Sequence, residues 1–103
     1  MKVIIQGTGM TLTPIMRKFI SDKMKAVDKF YPNIIELRFE AEHLPQQTKG
    51  DRYRCEANVS IPGKLIRVDK TTNDFQKSVN KVKDHLKVVL AKEKNKRLTK
   101  RKA

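Results

Sequence analysis

The chain has 103 residues, with 24 Lys or Arg against 11 Asp or Glu, a formal net charge of +13 and a pI near 10.1. This length holds one small domain with a single core, and the charge points to an anionic partner, nucleic acid before an acidic membrane. The absence of Trp argues against a single-strand binder built on stacking rings, no apolar run nears the roughly 18 residues of a membrane span, and the one cysteine, Cys55, cannot form an internal disulfide.

Val3 and Ile5 alternate with Lys2, Ile4 and Gln6 before Gly7-Thr8-Gly9, which predicts a short first strand. This segment has neither the extended apolar stretch nor the cleavage site of a signal peptide, so the expected location is the cytoplasm. Thr13-Pro14 reads as a helix start, threonine as N-cap and proline at the first helical position. Met16, Phe19, Ile20, Val27 and Phe30 keep helical spacing to about Lys29, and Pro32 disfavours helical geometry at Tyr31.

From Ile35 the period becomes two. Leu37, Phe39 and Ala41 share one face, and Glu36, Arg38, Glu40 and Glu42 the other. His43 to Asp51 reads as a polar loop. A third strand places Tyr53, Cys55, Ala57, Val59 and Ile61 inward, and Pro62-Gly63 turns into a fourth with Ile66 and Val68 inward. Glu40 or Glu42 is expected to pair across the sheet with Arg52 or Arg54. Thr72-Asn73-Asp74 supplies cap candidates for a second helix from Phe75 to about Lys96, leaving Arg97 to Ala103 as a basic flexible tail. The order is β-α-β-β-β-α. It predicts an α+β domain over residues 1–96 with both helices on one side of a four-stranded sheet.

The second helix carries the functional signal. Residues 76–103 hold 11 of the 24 Lys and Arg and two of the 11 acids, so +9 of the +13 lies there. Phe75, Val79, Val82, Leu86, Val89 and Leu90 form one apolar stripe, flanked by Lys77, Lys81 and Lys92 on one side and Lys83, Lys87 and Lys94 on the other. An ordinary solvated face mixes signs, whereas this one is suited to a polyanion. On the first helix Arg17, Lys18, Lys25 and Lys29 lie off the apolar stripe. Lys23 falls near it, so its stem either snorkels along the core or brings the ammonium out at the seam between the helices.

Catalytic and metal constellations are lacking in the sequence. Gly7-Thr8-Gly9 has no third glycine, since position 12 is Leu12, and Cys55 reads as a packed core thiol. His43 and His85 have no ligand-spaced neighbour.

Two stretches carry a resemblance. One runs from Gly7 through Leu12, Thr13, Met16, Arg17, Phe19, Ile20 and Lys23 to Val27 and Phe30. The other is Asp74, Phe75, Ser78, Val79 and Asn80, leading into Leu86, Leu90, Lys92 and Lys94. In these the chain resembles the bacterial ribosome hibernation factors, the family of hibernation-promoting factor, ribosome-associated inhibitor and sigma-54 modulation proteins, in its short form without the second, dimer-forming domain. The predicted order is also that family's, and similar to double-stranded-RNA-binding folds. The resemblance implies binding to the small ribosomal subunit in its decoding channel, against ribosomal RNA, where messenger and transfer RNA are displaced.

Carried over by position, it implies RNA contacts from Arg17, Lys23, Lys92, Lys94 and Lys96. The family usually has tyrosine where this chain has Gln76, a basic residue at Val88, glutamine at Val89 and often lysine at Ala26; Lys25 and Lys87 stand next door and can compensate. With Lys81 and Lys83 from the flanks, these make up the expected RNA-binding set. The expected protein is a non-enzymatic translation inhibitor, monomeric when free, with no cofactor, metal, membrane or small-molecule substrate. The alternative is a general double-stranded RNA or DNA-binding module not dedicated to the ribosome.

Overall fold

The computed structural model describes residues 1–47 and 50–102. The elements are β1 (Lys2–Thr8), α1 (Pro14–Lys25), β2 (Glu36–Gln47), β3 (Gly50–Ile61), β4 (Lys64–Thr72) and α2 (Phe75–Lys102), the order read from the sequence. The strands lie in sequence order as one sheet; β1 runs parallel to β2, and the other pairs are antiparallel. A parallel pair requires a crossover, and α1 supplies it.

Alternation decides which face is dry. Leu37, Phe39 and Ala41 of β2, Cys55, Ala57 and Val59 of β3, and Ile66 and Val68 of β4 form one buried surface. Ile20 and Met24 of α1, with Val79, Val82, Leu86 and Leu90 of α2, pack into the same cluster. Fully burying one such side chain contributes about 1.5–3 kcal/mol, so the apolar stripe fixes α2 by its first four turns. The Cys55 thiol is fully buried, and burial pushes its pKa up to about 12 despite the nearby Arg54 guanidinium. It is a packed core thiol, as the alternation predicts.

Local chemistry sets the helix starts. Thr13 Oγ1 accepts from the Met16 amide at 3.2 Å, with Pro14 in the first turn. At α2 the Asp74 carboxylate accepts from the Lys77 amide at 2.8 Å. Behind it, the buried Ser78 hydroxyl donates to the Tyr53 carbonyl at 2.7 Å and lies 2.7 Å from the Thr72 hydroxyl. These hydroxyls tie the first turn of α2 to the ends of β3 and β4. Gly7 is required by crowding: a Cβ there would sit 2.7 Å from the Met10 carbonyl oxygen and 3.1 Å from Leu12 Cγ.

Four details depart from the sequence reading. The helical stretch expected to reach Lys29 changes at Ala26 to a 3₁₀ turn, Ala26–Lys29. His43 to Asp51 is no polar loop: β2 continues to Gln47 and β3 starts at Gly50, with a register shift between Leu44 and Gln47. Pro45, which has no N–H to give the ladder, falls within that shift, and the His43 ring stacks on Tyr53 at 5.2 Å. Across the sheet Glu42 stands opposite Arg54, the expected register, but the Arg54 guanidinium turns to Asp69 and Glu56, and Glu40 stands opposite Glu56. Finally, α2 does not stop near Lys96; its helical backbone continues to Lys102, while Ala103 lies outside the described residues.

Candidate nucleic-acid interface

The two faces of the molecule differ in electrical character. On the open sheet face Glu36, Arg38, Glu40, Glu42, Arg52, Arg54, Glu56, Arg67 and Asp69, five acids against four arginines, nearly cancel. Arg54 reaches Asp69 at 3.0 Å and Glu56 at 3.3 Å, Arg67 reaches Glu56 at 3.0 Å, and Arg38 reaches Glu36 at 2.8 Å. The helical face has few acids to offset its lysines. On α1, Asp22 holds Lys18 at 2.8 Å; their hydrogen bond raises the lysine pKa and lowers that of the carboxyl, so Lys18 is a paired cation.

Helix geometry distributes the expected RNA-binding residues over this face. At about 100° per residue, Arg17 and Lys23 fall on opposite flanks of the α1 stripe. Arg17 lies on the β1 side and donates to the Ile5 carbonyl at 3.2 Å. Lys23 lies on the α2 side, with its Nζ 5.4 Å from the Phe19 ring centroid, and Phe19 in turn meets Phe75 of α2 at 6.4 Å. The half-buried Lys23 thus lays its stem along the core with its ammonium over the Phe19 ring. Lys25, in the last turn of α1, is exposed on its outer surface.

On α2, Lys87 Nζ lies 5.7 Å from the Phe30 centroid, so the Lys83–Lys87–Lys94 flank faces α1 and the turn that follows it. Lys81, Lys92 and Lys96 occupy the opposite flank and are exposed. The fold thus gathers Lys23, Lys83 and Lys87 along the seam. It sets Arg17 on one outer flank and Lys81, Lys92 and Lys96 on the other, with Lys94 toward the end of the seam side. Val88 is 50% exposed among the lysines, a gap in the charge rather than a packed residue.

Two cations outside the expected RNA-binding set belong to the architecture of this face. Arg97, assigned to a tail, donates to the Pro62 carbonyl and lies with its guanidinium carbon 5.5 Å from the Tyr31 centroid. Lys64 of β4 reaches Glu93 Oε2 at 2.9 Å. The sequence signal for Arg97 was its place on the apolar stripe, four residues after Glu93. Among the described residues no cluster of His, Cys, Asp or Glu could hold a metal, and no helix is long and apolar enough to cross a membrane.

This arrangement suits many weak contacts to phosphates better than the reading of base edges. Ammonium groups on flexible stems act as point charges, and duplex RNA presents backbone and shape more than readable bases.

Comparisons with known proteins agree with the geometry. The ribosomal subunit interface protein of Coxiella burnetii superposes with a TM-score of 0.77 at 21% identity, covering 92% of this chain and 99% of that one. The N-terminal domain of Thermus thermophilus Protein Y superposes with a TM-score of 0.71 at 22% identity, covering 89% and 98%. In sequence, the ribosome hibernation promotion factor of Deinococcus radiodurans is 24% identical over 88 residues, 85% of this chain but 46% of that protein, so the chain spans about half the length of this relative. The family model described as sigma 54 modulation protein / S30EA ribosomal protein matches residues 3–98, and the chain belongs to that family.

Proposed function

We propose that this protein is a ribosome hibernation factor: a cytoplasmic, non-enzymatic inhibitor of translation that occupies the decoding channel of the small subunit through its basic two-helix face. The observation that carries this reading is the division of charge, with a nearly neutral ion-paired sheet on one side and lysines along both helices on the other. Family membership supports a ribosomal partner, as do the names of its relatives, a hibernation promotion factor and a subunit interface protein. In this reading Arg17, Lys23, Lys25, Lys81, Lys83, Lys87, Lys92, Lys94 and Lys96 contact phosphates of ribosomal RNA. The bound protein excludes messenger and transfer RNA by bulk.

Co-sedimentation with salt-washed small subunits tests the proposal. The protein is expected in the subunit pellet at low salt, and protein left in the supernatant would sink the ribosomal reading. An equal mass of generic RNA duplex should compete poorly. Equal competition would instead indicate a general double-stranded RNA or DNA-binding module.

A further inference from the structure

Between Ala91 and Arg97 no residue of α2 is a buried apolar one. Ala91, Lys92, Lys94 and Lys96 are exposed, yet the helix continues. A stretch of helix that buries no apolar side chain and carries like charges four residues apart, as at Lys92 and Lys96, is intrinsically weak. What holds it is polar. Glu93 keeps only 12% of its side chain exposed and accepts from Lys64 Nζ at 2.9 Å, which ties the helix to β4 just past the β3–β4 turn. Its other oxygen lies 4.0 Å from Arg97 Nε, one turn on, with the acid on the N-terminal side, the favourable orientation. Arg97 completes the tie at the Pro62 carbonyl and over the Tyr31 ring.

We propose that Glu93, an acid within a basic face, strengthens RNA binding: it is a positioning residue that anchors the last turns of α2 to β4 and the β3–β4 turn, and so holds Lys92, Lys94 and Lys96 where they act together. This rests on the ribosomal reading above. It also gives a result opposite in sign to simple charge counting, by which neutralising an acid on a polyanion-binding surface tightens binding.

The experiment compares wild type, Glu93→Gln, Lys64→Gln and the double variant for affinity to small ribosomal subunits and, separately, to a generic RNA duplex, across a salt series. Glu93→Gln is expected to bind about two- to fivefold more weakly, the scale of one partly exposed ion pair, and to show a shallower salt slope. In the Lys64→Gln background the same change should lose most of its effect, because the tie is already broken. Hydrogen exchange at residues 91–97 should speed up in Glu93→Gln while exchange at residues 79–90 stays slow. Equal or tighter binding by Glu93→Gln, or an undiminished effect in the Lys64→Gln background, overturns the proposal. If wild type fails to bind subunits, the ribosomal reading falls alone, and the duplex series still decides the role of Glu93.

Discussion

Ser78 shows how one small side chain can carry a motif. Its hydroxyl sits with no exposure between Tyr53 and Thr72, joining a helix to two strands. Ser78→Ala removes the donor to the Tyr53 carbonyl and is expected to cost about 1–3 kcal/mol, read as a lower urea midpoint with an unchanged slope. Gly7→Ala should cost a similar amount, about 1–3 kcal/mol, because its Cβ would press on backbone at Met10 rather than on a side chain that can turn away. Cys55 sets a pH limit. Its pKa is near 9.0 in an unfolded chain and about 12 in the folded one, so the folded state holds the proton more tightly and stability falls as pH rises above 9. Denaturation midpoints between pH 8 and 11 should show this fall, and Cys55→Ala should flatten it.

At the scale of elements, α2 is both where the sequence was easiest to read and where it misled. Its apolar residues from Phe75 to Leu90 follow the helical period so closely that burial of Val79, Val82, Leu86 and Leu90 was legible in advance. The next part was not, because periodicity registers apolar contact only. Arg97, expected in a tail, has its guanidinium packed over Tyr31 and bonded to the Pro62 carbonyl. The same blindness made a loop of His43 to Asp51, where Pro45 interrupts the alternation while the strands go on pairing around it. The basic character of the helical face was legible from its excess of Lys and Arg over acids, but the arrangement of the candidate lysines into a seam and two flanks needed the partner rings Phe19 and Phe30. Replacing Lys92, Lys94 and Lys96 with glutamine is expected to weaken subunit binding and flatten the slope of log affinity against log salt by about two to three. Far-UV circular dichroism should keep the sheet and most of the helix. An unchanged slope would place the interface elsewhere on the molecule.

For the whole molecule, the dominant quantity is +13 on a body with extents of 52 × 27 × 18 Å. If the protein neutralises six to ten phosphates, raising salt from 50 to 200 mM should lower its affinity by about 10³–10⁵. Equilibrium sedimentation should find single chains at low salt, because two such charges repel more strongly as screening falls; a stable dimer there would contradict the expectation. The ion-paired sheet adds a kinetic consequence. With almost all excess charge on one side, the free protein behaves like a weighted compass needle in the field of a polyanion: the field turns it helices-first before any contact forms. Salt should therefore slow its arrival as well as hasten its departure. A chain with the same total charge spread over both faces would reach its target in the wrong orientation far more often.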